Sequence, residues 1–324
     1  MLYDPLKIGT EETSTRLVLP PMASHTSQQG EVNGKTVAHY LKFAANPALG
    51  MLFTEHSYIT PGGKAHPSQL SFASDEMVPA QQRLTEAIHK AHPGLLVFAQ
   101  LSHAGAHTRE SVTGEPLVSA SAVTLMEEQA RELTVPEIHQ LVESFARAAV
   151  RVKKAGYDGV EIHAAHGYLL NQFLSPLTNH RTDGYGPQLI TNRTRFLREV
   201  IQAVRNAVGE AFPIAVRLGG CDYLPGGSTV EDGAAAAALV EEAGADLVDV
   251  SGGMCIFTRP GHTEPGWFSD LSQAVEKAVS VPVILTGGIQ TPDQAEALLK
   301  AGKADLIGVG RAMLRNPRWG QEEA

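Results

Sequence analysis

Short runs of apolar residues alternate along this chain with longer stretches in which apolar positions recur every three or four residues. The short runs read as buried strands and the longer ones as amphipathic helices. Strands are expected over 17–22, 50–55, 95–100, 159–163, 213–218, 247–251, 283–286 and 306–309. Helices are expected over 36–45, 75–91, 136–155, 192–208, 230–243, 271–279 and 292–301, with a last short turn after Arg311. Local chemistry supports several of these boundaries. Thr134 stands three residues before Glu137 and just ahead of Pro136, the spacing of a capping box, and Thr291 precedes Pro292 in the same way. Three helices run into Ala-Gly, at Gly156, Gly244 and Gly302, where glycine suits a left-handed C-terminal position. Each is followed closely by an aspartate (Asp158, Asp246, Asp305) and an apolar strand. This weak internal repeat is what one helix-to-strand connection looks like when it is used several times.

Strands and helices in alternation predict an α/β protein, a (β/α)₈ barrel forming a single domain over 1–324. The alternative is an open doubly wound sheet. The barrel is favoured because polar residues collect after many different strand ends and not at one switch point. Two long loops, 102–133 and 164–190, follow the third and fourth strands, and loops of that length are usually functional.

Composition narrows the class. With 43% hydrophobic residues in 324, the chain can bury a large core, and its net charge of −9 with no basic run argues against nucleic acid as a partner. Cys221 and Cys255 show no C-x-x-C spacing, so neither a cysteine-ligated metal nor a disulfide framework is expected. No secretory signal is visible in the first ten residues, and no run of about 18 apolar residues suggests a membrane span. The expectation is a cytoplasmic enzyme without a metal.

The densest chemistry lies in Glu161-Ile162-His163-Ala164-Ala165-His166-Gly167-Tyr168, directly after an apolar run. If the chain turns at the strand end, His163 and His166 can face one point. Neutral imidazoles there would donate hydrogen bonds to a developing oxyanion, a donor of that kind being worth about 3 kcal/mol of barrier. Tyr168 could deliver a proton as general acid. Plain packing is the other outcome for the pair, and metal ligation lacks a third ligand at suitable spacing. Gln100, at another strand end, offers one acceptor and two donors, which suits the mixed edge of a heterocycle such as a flavin pyrimidine ring. Arg217 ends the fifth strand and needs a partner, either an anionic ring or a loop carboxylate such as Asp222. The last two strands end in Thr286-Gly287-Gly288-Ile289 and Gly308-Val309-Gly310-Arg311. In barrels the corresponding loops commonly hold a phosphate, through backbone N–H groups and an arginine. The 179–186 stretch reads as a loop lock built on an Arg181–Asp183 pair.

Taken together, Pro20-Pro21-Met22, Gln100 to Gly105, Glu161 to Tyr168, Phe173 to Pro176, Asn179 to Tyr185, Asn192-Arg193, Arg217 and Gly308 to Arg311 resemble the old yellow enzyme family of flavin-dependent oxidoreductases. The likeness covers nearly the whole chain. It implies a (β/α)₈ barrel holding FMN, which NADH or NADPH reduces and which passes hydride to the β-carbon of an activated alkene. By the matching motifs, His163 and His166 would grip the acceptor's oxygen and Tyr168 would protonate its α-carbon. Gln100 would bind the flavin pyrimidine edge, and Arg217 would stabilise negative charge near flavin N1. Gly288, Gly310 and Arg311 would hold the phosphate, and Pro21, Met22 and Ala23 would line the flavin. His25 would face substrate, where one subgroup places a tyrosine. His56 stands beside the flavin where a small residue is usual.

Ala23 replaces the Cys or Thr common in the family, so a shifted flavin potential is expected. The chain ends soon after Arg318-Trp319, so the C-terminal arginine that some relatives insert into a partner's site is not expected. The expected partner is a small alkene acceptor, with a homo-oligomer left open. A flavin-free barrel lyase or isomerase, using the same phosphate loops with His163 and His166 as acid and base, is the competing reading.

Overall fold

In the computed structural model, which describes residues 1–321, eight parallel strands close on themselves. They are β1 (Leu17–Leu19), β2 (Met51–Tyr58), β3 (Leu96–Ser102), β4 (Gly159–Ala164), β5 (Ile214–Cys221), β6 (Leu247–Gly252), β7 (Val283–Thr286) and β8 (Leu306–Gly308). Each pairs with the next, and β8 pairs with β1 to complete the barrel. The intervening helices are α1 (Gly34–Ala44), α2 (Val78–Ala91), α3 (Val135–Lys154), α4 (Arg195–Val208), α5 (Val230–Glu242), α6 (Ser269–Glu276) and α7 (Pro292–Lys300), and α8 (Arg311–Arg315) follows β8.

The expected elements are all present, with shifted ends. β1 stops at Leu19 because Pro20 and Pro21 have no N–H to give to a ladder. The helix expected over 192–208 breaks at Thr194, whose hydroxyl donates back to the Ile190 carbonyl at 2.8 Å, leaving a short helix Ile190–Arg193 before α4. The two long loops are folded. The first carries a helical turn Glu110–Thr113 and a small sheet of Val118–Ser119, Val123–Thr124 and Gln129–Glu132. The second carries the helix Leu169–Leu174. An N-terminal hairpin, Leu6–Ile8 with Glu11–Thr13, has no counterpart among the expected strands.

Capping boxes form at Thr134/Glu137 and Thr291/Gln294 as the spacing predicts, and also at Asn33/Thr36 and Thr229/Asp232. The recurring Ala-Gly…Asp unit has a physical purpose. Gly156, Gly244 and Gly302 take φ of 77°, 111° and 60°, ending their helices in the left-handed region. The aspartates then accept from N–H groups at the start of the preceding strands: Asp158 from Val97 at 2.8 Å, Asp246 from Ile214 at 2.8 Å and Asp305 from Val283 at 3.0 Å. Each carboxylate staples its own strand to its neighbour at the barrel's N-terminal end.

Inside the barrel the lower layers are apolar: Val18, Met51, Phe53, Leu96, Phe98, Ala215, Leu247, Ile284 and Leu306. Ile8 of the hairpin belongs to this cluster and is fully buried, so the hairpin closes the floor. Toward the C-terminal ends the inward residues become polar, and there the barrel opens.

Candidate active site

A cavity of roughly 440 Å³ lies at the C-terminal mouth, where barrels of this class place their chemistry. It is lined from β1 by Pro21, Met22 and Ala23, from β2 by His56 and from β3 by Gln100. His163, His166 and Tyr168 line it from β4, Arg217 from β5, and Gly288, Gly310 and Arg311 from the loops after β7 and β8. Twelve of the residues singled out in the sequence therefore converge on one cavity. His25 is not among the lining residues. It is exposed, in a left-handed turn (φ 55°), with its ring 4.5 Å from that of His66.

The turn after β4 brings the two histidines together. His166 and Gly167 both take positive φ (60° and 71°), and Asn171 Oδ1 accepts from the Gly167 N–H at 2.8 Å. The imidazoles of His163 and His166 come to 5.0 Å between centroids, nearly perpendicular at 82°. His166 Nε2 lies 2.7 Å from Ser251 Oγ on β6, while His163 Nδ1 has no partner. Burial, and then the charges of neighbouring groups including Arg217, holds both imidazoles well below the ordinary histidine range. They are neutral, each able to give an N–H without bringing a charge. Tyr168 stands edge-on to His163 at 4.9 Å, and burial pushes its phenol up to about 12, so it keeps its proton at any physiological pH.

His56 is both anchored and facing the cavity. A register shift between β2 and β3 separates Thr54 from Ser57 and re-aims the residues between them. Gln69 Nε2 donates to His56 Nδ1 at 3.0 Å, and Ser102 Oγ lies 3.3 Å from the same atom. With Nδ1 accepting, the proton sits on Nε2. The ring stacks on Tyr168 (5.4 Å, 19°), and burial first, then the electrostatic influence of neighbouring groups including Arg217, brings its pKa down to about 3. A third neutral imidazole thus borders the cavity.

Arg217 does not pair with Asp222. Its Nε lies 3.3 Å from Asp249 Oδ2 on β6, the residue beside it in register. Asp222 accepts from Ser175 Oγ, Ser228 N and Met254 N, at 2.6, 2.7 and 2.7 Å, and so ties loops together. Gln100 gives one amide hydrogen to Glu161 Oε2 at 2.7 Å and keeps its carbonyl and second hydrogen for a ligand. The Arg181–Asp183 lock forms as expected, bidentate at 3.0 and 2.6 Å.

Sequence reasoning missed Trp267. It lines the cavity, lies against Gly287 and Gly288, and carries the Arg311 guanidinium 5.1 Å over its ring. Its indole N–H and the Thr286 hydroxyl are buried without partners. The tryptophan sits alone in a loop, and no periodic or motif signal marks it. A Cβ on Gly288, already at φ 67°, would come within 2.7 Å of the Trp267 ring, and one on Gly308 would meet Thr286 Oγ1. Bare backbone, idle buried donors and an arginine with no carboxylate partner among the described residues make a cradle for a phosphate. With Gln100 and Arg217 across the cavity, the residues present fit FMN.

The comparisons agree with this chemistry. Residues 1–323 match the model of the NADH:flavin oxidoreductase / NADH oxidase family. The chain is 36% identical over 327 residues to an NADH oxidase of Thermoanaerobacter brockii, covering 98% of this chain but 50% of that protein, so it spans about half the relative's length. It is 36% identical over 312 residues to an NADPH dehydrogenase of Halalkalibacterium halodurans, covering 95% of this chain and 89% of that one. Among solved structures, an old yellow enzyme homologue from Zymomonas mobilis superposes with a TM-score of 0.84 at 30% identity, covering 98% of this chain and 90% of the other. The chain belongs to the NADH:flavin oxidoreductase / NADH oxidase family of FMN-binding barrels.

Proposed function

We propose that the chain is an NAD(P)H-dependent flavin oxidoreductase of the ene-reductase type, acting on small alkenes activated by a carbonyl or nitro group. The observation that carries this reading is the grouping of two neutral imidazoles and a protonated phenol in one cavity with a flavin-shaped set of donors. FMN would accept hydride from NADH or NADPH and pass it to the alkene's β-carbon. Gln100 would hold the pyrimidine edge, Arg217 would balance negative charge beside it, and Pro21, Met22 and Ala23 would line one side. Gly288, Gly310 and Arg311 would fix the phosphate. The N–H groups of His163 and His166 would hold the acceptor's oxygen and draw electron density from the alkene. Tyr168 would place a proton on the α-carbon. His56 would border the ring, and His25, packed on His66, would act only on groups reaching beyond the cavity.

A flavin-free lyase would need one imidazole as an acid, and both are held neutral here. The deciding experiment is spectral. Purified protein should be yellow, bleach with NADH or NADPH under nitrogen, and recolour on addition of an enone. A colourless protein that cannot be reconstituted with FMN refutes the reading. Bleaching without recolouring by any enone or nitroalkene keeps the flavin but removes the alkene.

A further inference from the structure

Glu161 and Asp249 are buried carboxyls that the proposed chemistry leaves unused. They face into the barrel from β4 and β6, on either side of Arg217 and one side chain behind the cavity wall. Strand register puts them there: Glu161 pairs with Gln100, and Arg217 pairs with both His163 and Asp249. Both are 0% exposed. Hydrogen-bond donors are scarce around them. Glu161 Oε2 accepts from Gln100, but Glu161 Oε1 and both Asp249 oxygens have none, and the Arg217 Nε hydrogen is not aligned on Asp249. The two carboxyls contact each other. Acceptors that meet with nothing to share require a proton between them.

Charge counting gives the same answer. One guanidinium balances one carboxylate, and the layer beneath is apolar, with Phe98, Ala215 and Ile284. A second ionised carboxyl there would be an uncompensated buried charge. Burial accordingly holds both groups above the ordinary carboxylate range, the charge of Asp249 raising Glu161 further and Arg217 opposing the shift of each. The resting pair carries one proton and one negative charge. The other groups facing it are His163 from β4 and Arg217 from β5, with Gln100 from β3 and Thr286 from β7 uncharged. His166 and His56 lie across the cavity and are neutral like His163.

We propose that Glu161 and Asp249 form a redox-linked proton site, which takes up one proton from solvent when a flavin held over Arg217 gains two electrons. The inference rests on the flavin reading. Without it, the single positive charge of Arg217 would serve two anions, Asp249 below and the reduced ring above. In the reductive half-reaction, hydride from NAD(P)H brings two electrons and one hydrogen to the ring, and a proton from solvent neutralises the Asp249 carboxylate. When hydride leaves for the acceptor, the pair returns that proton to solvent, so charge and atoms balance over the cycle. Glu161 and Asp249 are positioning residues, setting the charge that Arg217 presents.

The test is the pH dependence of the flavin midpoint potential of the FMN-loaded enzyme around neutral pH. Wild type should take up two protons per two electrons, giving twice the slope of a one-proton couple. Glu161→Gln and Asp249→Asn combined, which remove both carboxyls, should return the slope to one proton. The infrared difference spectrum on reduction of wild type should show a gained carboxylic-acid carbonyl band that shifts in heavy water. A yellow wild-type enzyme with a one-proton slope, or with no such band, overturns the proposal while leaving the flavin reading intact. So does a double variant that keeps the two-proton slope, because the proton then goes to an imidazole or the ring. Should the double variant fail to fold, the wild-type slope and band decide alone. A wild-type protein that binds no FMN overturns the flavin reading itself.

Discussion

Tyr168→Phe separates the two half-reactions that the cavity would serve. The substitution removes one oxygen and leaves the ring, so the stacking on His56 and the edge contact with His163 survive. No protein group donates to or accepts from the hydroxyl among the described residues, so its loss leaves no buried partner stranded. Folding and FMN binding should therefore change little. Its expected cost falls on proton delivery to the α-carbon, where a positioned general acid is worth about 10²–10⁴ in rate. Anaerobic stopped-flow measures each half separately. Flavin bleaching by NAD(P)H should stay within about twofold of wild type, while recolouring by an enone should slow by about 10²–10⁴. A phenol pushed up to about 12 also predicts the pH profile. Its proton is in place at every pH below that, so reoxidation in wild type should show no loss of an essential acid between neutrality and mild alkali. Equal slowing of both halves, or a wild-type reoxidation rate that falls through an acid near pH 7, would refute the assignment of Tyr168 as the proton donor.

Three further outcomes follow from the geometry. Gly288→Ala places a Cβ against Trp267 at a backbone angle that costs an L-residue about 1–2 kcal/mol. FMN affinity should fall about tenfold or more in a fluorescence titration, and unchanged affinity would remove Gly288 from the phosphate cradle. Asp246→Ala strips the acceptor from the Ile214 N–H and from Arg205, bonded at 2.8 and 2.5 Å. It should lower unfolding free energy by about 2 kcal/mol in urea, and a loss under about 0.5 kcal/mol would mean that the staple is ornamental. His56, His103 and His163 are buried and His166 is half-buried, and all four are neutral, their folded pKa values depressed. The unfolded chain protonates them below about pH 6.5, so their stabilising contribution is complete above that value and is lost as pH falls. The urea midpoint should drop steeply from pH 7 to 5, each group adding up to about 1.4 kcal/mol per pH unit, whereas a flat midpoint would show these imidazoles to be solvated.

What could be read from the chain and what could not divides along physical lines. The barrel strands are short apolar runs buried on both faces, and on β2, β3, β4 and β5 His56, Gln100, His163 and Arg217 break the run near the C-terminal end, so both strands and cavity-facing ends were visible. The staple aspartates were visible as a repeat, but not as acceptors for the neighbouring strand's N–H, which lies some 20–60 positions away in sequence. The hairpin that plugs the floor has strands of three residues, too short for any periodicity. Asp222 was a reasonable partner for Arg217 by sequence nearness. Parallel register instead sets Asp249 beside it, a relation that only the closed sheet reveals. Trp267 carries no motif, and its place against the two glycines depends on how the loop after β6 folds back.

The same parallel register explains why one barrel can hold an apolar floor and a charged ceiling two residues apart. Inward positions alternate along each strand, so Ala215 and Arg217 on β5, or Leu247 and Asp249 on β6, stand in successive layers. The floor denies water to the layer above it, which raises the cost of every unpaired charge there. That cost is what keeps the imidazoles of His163 and His166 neutral and makes Arg217 the positive charge in the cavity wall. A carboxylate beside Arg217 is tolerated because the arginine balances it, and a second carboxyl is tolerated only with its proton. Each polar group at the mouth therefore takes its protonation state from the apolar layer below, and the cavity's capacity to receive negative charge depends on residues that never touch the ligand.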